Sequence, residues 1–363
     1  MSRWSTATGP GIDDEHDLPD VEPCHRSRDR VDADQSYPGV RMGADGAAHI
    51  RSGAQLREFL RVAPPSPPTD LEVEWTESRG PYELSRVRYA VPDGDVVPAF
   101  LLRPGAGPCR VGVVAFHQHN SRWHLGKSEV VGLAGDPLQA FGPALAAAGV
   151  AVLAPDALGF EDRRRHASGV DAHDLDKDHY IRELTHRLVV GDTLARRTLD
   201  DACHAVTMLA AQRDVETVGV IGHSFGGHQT LFLSAIDPRV RFACASGAAG
   251  SFRARMARGI GIGFDQVVPG IATRMDFHTF VECIAPRPLL LVAGENDRHA
   301  MDAADIAAAG RAAYERQRAA HDLDCRVLPG EHALTDERHE VIVDWTLAMA
   351  TRFGHPPEAT GDA

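Results

Sequence analysis

The chain has 363 residues, 43% hydrophobic and 25% charged, with 38 basic against 51 acidic side chains and a net charge of −13. This is ordinary globular composition with ample material for a large core, in one large domain or two smaller ones. The acidic balance argues against nucleic-acid and anionic-membrane partners, and no apolar run reaches the ~18 residues a bilayer span needs.

Residues 1–35 hold nine acids against four arginines, which predicts a solvated, partly flexible arm covering residues 1–70. A short helix is expected within it at 55–62, ended by the proline-rich stretch 63–68. No secretory signal is recognisable, so a cytoplasmic location is expected. From residue 71 to 353 a single α/β domain is predicted. Strand-like runs at 86–91 and 97–102 flank the turn Pro92-Asp93-Gly94-Asp95. The continuous apolar run 111–116 reads as a strand buried on both faces. Asp136-Pro137 opens a helix expected to run through Ala148 and stop at Gly149. Strands at 150–154, 217–221, 240–245, 288–293 and 325–328 then alternate with helices at 198–211, 229–235, 303–320 and 335–351. Such alternation means a mostly parallel twisted sheet with helices on both faces. The densely charged segment 160–200 and the Gly- and Arg-rich segment 246–285 interrupt the pattern. Each follows a strand at the ligand-binding end of such a sheet, so both are candidate walls or lids. A flexible tail is expected over 354–363. The six cysteines are scattered without a C-x-x-C pair and read as buried thiols.

The strongest motif is Gly222-His223-Ser224-Phe225-Gly226, directly after an apolar run. A strand turning sharply into a helix there would expose the Ser224 hydroxyl at the strand tip, with a helix N-terminus behind it. A serine needs a base to be a nucleophile. His332, in a loop before the final helix, is the expected base, and Asp297, after a buried strand and a glycine turn, the expected acid. Glu295 competes for the acid's place; Asp297 is favoured because the turn must first clear the strand end. The order Ser224, Asp297, His332 suits a nucleophile-elbow hydrolase. Oxyanion donors are expected from the Phe225 main-chain N–H and from that of Gln118 or His119. His117, His223 and Phe160 are expected substrate contacts.

His117-Gln118-His119 has a rival reading as the start of a metal site, with His124, His166, His173 and His179 as further ligands. That reading needs the strand to continue, and Asn120-Ser121 suggests a turn, so no metal and no cofactor are expected. Asp156 precedes Ser224 and reads as a structural hydrogen-bonding group. The run Arg163-Arg164-Arg165 reads as a solvated charged face or, less simply, as a site for a substrate carboxylate.

Together these residues resemble the α/β-hydrolase superfamily, and within it the dienelactone-hydrolase-like and acetyl-xylan-esterase-like serine esterases. The resemblance covers about residues 80–353. It rests on His117-Gln118-His119-Asn120, Gly126-Lys127-Ser128-Glu129, Ala154-Pro155-Asp156-Ala157-Leu158-Gly159-Phe160, Gly191-Asp192-Thr193-Leu194 and Asp200-Asp201. It continues through the elbow, Ala285-Pro286-Arg287-Pro288, Gly294-Glu295-Asn296-Asp297 and Gly330-Glu331-His332-Ala333. True dienelactone hydrolases carry cysteine where this chain has Ser224, and Arg298-His299-Ala300 and the acidic arm also depart from the pattern. The reading that results is a cofactor-free serine hydrolase acting on a small-molecule acyl substrate, a carboxylic ester or else a thioester or activated amide, through an acyl-enzyme on Ser224. Acyl transfer or cyclisation by the same groups, and a non-catalytic binding protein on a hydrolase scaffold, are the alternatives. Fold alone does not choose a substrate, and a homo-oligomer is left open.

Overall fold

The structure is a computed structural model that describes residues 49–165 and 173–354. The predicted acidic arm up to residue 48, the middle of the 160–200 segment and the tail beyond 354 lie outside the described residues. Nine strands among them form one sheet: β1 (Leu71–Ser78), β2 (Tyr82–Ala90), β3 (Val96–Pro104), β4 (Val111–Phe116), β5 (Ala151–Pro155), β6 (Thr217–His223), β7 (Val240–Ser246), β8 (Leu289–Gly294) and β9 (Leu323–Leu328). Their order is β1-β2-β3-β5-β4-β6-β7-β8-β9. The first three strands pair antiparallel, β3 also meets β5 antiparallel, and β5 through β9 run parallel.

The continuous apolar runs sit where two-sided burial demands them. Every residue of β4, β5 and β8 is buried. Within β4, Val114 and Phe116 face one core while Val113 and Ala115 face the other, the alternation a pleated strand imposes. Helices Leu194–Ala210, Phe225–Ile236 and Phe277–Ile284 cover the first face; Phe141–Ala147 and Asp336–Gly354 cover the second. The short helix predicted at 55–62 forms as Gly53–Leu60 and buries Leu56 and Leu60 in the first core.

Three elements differ from expectation. Strand β1 was not foreseen: it is an edge strand with seven of eight residues exposed, so its sequence carries no burial period. The helix expected from Pro137 is split into a short 3₁₀ turn, Pro137–Gln139, and the helix Phe141–Ala147. Pro143 has no N–H to donate to the Gln139 carbonyl, so an unbroken helix would lose a bond there. The helix after the elbow begins at Phe225 rather than 229.

The two interrupting segments differ in kind. Helix Phe277–Ile284 buries Phe277, Phe280, Val281 and Ile284 and belongs to the core. The earlier part, with helix Phe252–Ala257, stands at the sheet's C-terminal edge. Helix His173–Val189 reaches it there, with the Tyr180 and Phe264 rings 5.8 Å apart. No helix among the described residues is long and apolar enough to cross a membrane.

Candidate active site

Strand β6 ends at His223, and Ser224 takes φ 58° and ψ −116° before the helix Phe225–Ile236 begins. A non-glycine residue held in this sparsely populated region marks a strained turn. Two glycines make the turn sterically feasible. A Cβ on Gly222 would run into the Gly226 main chain, and one on Gly226 would run into the Phe116 and His117 carbonyls. The helix therefore starts hard against the end of β4. The Ser224 N–H donates to the Ser246 carbonyl at 2.8 Å, tying the elbow to β7.

The loops after β8 and β9 are laced together: the Glu295 N–H donates to the Leu328 carbonyl (2.8 Å) and the Asn296 N–H to that of Gly330 (3.0 Å). This brings Asp297 and His332 face to face. His332 Nδ1 lies 2.9 and 3.0 Å from the two Asp297 carboxylate oxygens, and Nε2 lies 2.7 Å from Ser224 Oγ. A ring nitrogen facing a carboxylate carries the proton, so Nε2 is left to accept the serine hydroxyl. Asp297 is fully buried, which works against its charge, but the hydrogen bond and charge of His332 and the His299 N–H (2.8 Å) outweigh burial and hold its carboxyl below the usual value. Glu295, the competing acid, is exposed.

The expected oxyanion donors fall beside this group. Phe225 is the first residue of its helix, where an N–H has no intrahelical acceptor. The chain leaves β4 at Phe116 and turns through positive φ at Asn120 (42°) and Ser121 (51°). Gln118 and His119 therefore sit on a loop, next to the point where Gly226 meets β4. The Gln118 side chain donates to Glu129 at 3.1 Å. The His119 ring accepts the Ser121 N–H at 3.0 Å and lies 4.4 Å from the Trp123 ring and 6.1 Å from that of Phe225. Burial lowers its pKa to about 4.

The three expected substrate contacts are all buried: His117 is 2% exposed, Phe160 and His223 not at all. The His117 ring donates from Nδ1 to the Gln118 carbonyl (2.8 Å) and accepts the Ala157 N–H at Nε2 (3.1 Å). Both nitrogens are thus used by main chain, and the turn at Asn120 removes the shared strand face on which the metal reading depended. Phe160 packs between His117, His119, Trp123 and Phe225. His223 lies beneath the imidazole of His332, with ring centroids 5.0 Å apart and its Nδ1 3.0 Å from Ser246 Oγ. Burial, then the charge of His332, lowers the His223 pKa to about 3.

Two further residues, His299 and Lys127, take places at the site that the sequence did not assign. His299 flanks the other side of His332, 4.6 Å between centroids. Lys127, fully buried, donates to Asp156 (2.7 Å), Glu161 (2.6 Å) and Asp162 (2.6 Å). These three carboxylates are spaced to hold a metal ion, but the ammonium group occupies their centre. Asp156 is thus a structural acid, as its place in the chain suggested. The arginine run is spent on internal pairs: Arg163 with Asp95 and Asp201, Arg164 with Asp176, Arg165 with Glu183. Only tertiary contact between distant segments assembles these groups.

A mostly parallel sheet, helices on both faces and a strained serine elbow at the strand tips define an α/β-hydrolase fold. No protein-family model matches the chain. It is similar to YtaP of Bacillus subtilis, an inferred hydrolase, with 27% identity over 253 residues, 67% of this chain and 80% of that one. Among solved structures, an inferred acetyl xylan esterase of Bacteroides fragilis shares 14% identity at a TM-score of 0.65, covering 82% of this chain and 86% of that one. The glucuronoyl esterase of Solibacter usitatus shares 15% at a TM-score of 0.55, covering 86% and 99%. At these identities the structural likeness is one of fold.

Proposed function

We propose that the protein is a serine hydrolase that cleaves a carboxylic ester through an acyl-enzyme on Ser224. The observation that carries this reading is the unbroken hydrogen-bonded line from Asp297 through His332 to Ser224 Oγ, with a 2.7 Å contact at the hydroxyl. As Oγ attacks the carbonyl carbon, His332 Nε2 takes its proton and Asp297 stabilises the imidazolium. The tetrahedral oxyanion is held by the Phe225 N–H and by that of Gln118 or His119. His332 returns the proton to the leaving alcohol, and water, deprotonated in turn by His332, releases the acid. The His332 side chain is 30% exposed, so solvent reaches the base. That accessibility favours hydrolysis over acyl transfer or cyclisation, which need water kept out. YtaP and the esterases of the same fold lend support of a coarser kind, to hydrolysis and to esters.

A fluorophosphonate probe tests the reading. It should label Ser224 in the wild type, and Ser224→Ala should lose both the label and p-nitrophenyl ester turnover, by ~10³-fold or more. Turnover at wild-type rates in Ser224→Ala would remove the serine from the mechanism. Absence of label and turnover in the wild type would favour a binding protein.

A further inference from the structure

The last helix, Asp336–Gly354, carries a cation where elementary electrostatics disfavours one. Arg338 stands in its first turn, at the positive end of the helix dipole, and is fully buried, while its neighbours Asp336 and Glu337 are exposed. Its Nη2 donates to the Ala333 carbonyl, whereas Nε and Nη1 are buried without a partner. The buried Arg163 and Arg197, by comparison, are each paired with aspartates. A guanidinium placed like Arg338 costs folding free energy unless an opposing charge stands near.

That opposing charge is Asp297. The two turns that build the catalytic pair close around Arg338. A Cβ on Gly294, in the turn before Asp297, would lie 3.1 Å from Nη1, and one on Gly330, in the turn before His332, 3.2 Å from Nη2. Ala333, whose carbonyl accepts from Nη2, follows His332 directly. The guanidinium is thus wedged between the loop of the acid and the loop of the base. Two cations thereby share one carboxylate: Arg338 at all times, and the imidazolium only when the base is protonated. A histidine set against a buried carboxylate is prone to take up a proton, after which it accepts none from a serine. A fixed positive charge on the same carboxylate opposes that uptake. Most other groups around the base bring no charge of their own. Burial keeps His223, at the end of β6, neutral down to about pH 3 and His299, in the Asp297 loop, down to about 4; His228, on helix Phe225–Ile236, is likewise lowered. Arg298 and Glu331 are exposed, and Arg255, on helix Phe252–Ala257, acts on Asp297 in the same sense as Arg338.

We propose that Arg338 is a positioning residue for the catalytic pair: it pins the loop that carries His332 and sets a fixed positive charge against Asp297, which keeps the imidazole free to accept the Ser224 proton. This deepens the serine-hydrolase reading and rests on it. The sign follows directly. Without the cation the base is protonated at higher pH, so activity is lost sooner as pH falls.

The test follows, from ~pH 5 to 9, the rate at which a fluorophosphonate labels Ser224 and kcat/KM for p-nitrophenyl acetate. The wild-type acid limb should fall below ~pH 7; a limb above that overturns the proposal before any variant is made. Arg338→Gln removes the charge but retains a donor for the Ala333 carbonyl. Its acid limb should move up by ~0.5–1 pH unit, a loss of ~3- to 10-fold at the acid end. Arg338→Lys keeps the charge and should keep the limb at the wild-type position, whatever the shorter side chain does to the rate. A merely structural role would lower the rate by one factor at every pH. An unmoved limb in Arg338→Gln, or a limb moved equally in both variants, overturns the proposal. Should Arg338→Gln fail to fold, Arg338→Lys decides: a limb at the wild-type position supports the charge, and an upward move overturns it. Labelling of the wild type with an unmoved limb in Arg338→Gln removes this proposal alone. A wild type that neither labels nor turns over removes the serine mechanism and this proposal with it.

Discussion

Lys127→Met is the perturbation that most directly probes how the site is held. The ammonium is fully buried among Asp156, Glu161 and Asp162, and the Lys127 and Ser128 N–H groups donate to Asp156 (2.8 Å) and Glu161 (2.9 Å). Burial works against the lysine charge, and Asp156 and Glu161 outweigh it, raising the pKa. Methionine has similar reach and no charge, so the substitution leaves three carboxylates, of which Asp156 is 1% exposed, facing only Arg86 at Asp162. Removing one partner of a buried ion pair costs about 3–5 kcal/mol, a large part of a total stability of roughly 5–15 kcal/mol. The expected loss in Tm is on the order of 10 °C. The same cluster anchors the loop around the elbow: the Glu161 N–H donates to the Trp123 carbonyl (2.7 Å) and the Ala157 N–H to His117 (3.1 Å). kcat/KM of the folded variant should therefore fall too. Urea denaturation and ester turnover below the melting range measure the two effects. Adding Glu161→Gln should restore part of the stability by removing one uncompensated charge. A loss below about 1 kcal/mol would refute the reasoning, since it would mean the buried ammonium is not offsetting the carboxylates.

The remaining predictions concern the site and its acid sensitivity. Asp297→Asn should keep the fold but lower kcat by ~10³- to 10⁴-fold, because an amide no longer selects the working imidazole tautomer; a loss under tenfold in ester assays would discount Asp297. Gly226→Val should destabilise by at least ~1–3 kcal/mol, as its side chain meets the Phe116 carbonyl; unchanged urea midpoints would contradict the close approach. Burial lowers His117 and His119 to about 4, His223 to about 3 and His228 well below normal, so the stability they contribute is complete above the unfolded value near 6.5 and is lost as pH falls toward 4. Burial raises Asp265, which opposes the trend by keeping a proton in the fold. The lowered histidines, His299 among them, outnumber it, so unfolding takes up protons and stability should fall as pH drops from 6 to 5. Denaturant midpoints that stay flat across that window would count against this assignment.

The fold class was legible in the chain because its evidence is local. The apolar runs of β4, β5 and β8 are continuous since both faces are covered, and the glycines around Ser224 mark a turn that few other residues allow. Ser224, Asp297 and His332 could be singled out because each follows a strand, and the order of strands along the chain limits which loops can meet. Strand β1 escaped notice because an edge hydrated on both sides needs no apolar alternation. The break before Phe141 was legible in principle at Pro143 but was outweighed by the cap at Asp136. Tertiary packing alone decided which polar groups near the elbow would be sealed off. His223, His117 and Phe160 look like surface groups beside a nucleophile, yet neighbouring loops bury them. Lys127 differs from a solvated cation only through a segment distant in sequence, the carboxylates after β5 that enclose it. Periodicity and turn chemistry act over a few residues and are written in the chain, whereas desolvation of a charge depends on everything folded around it.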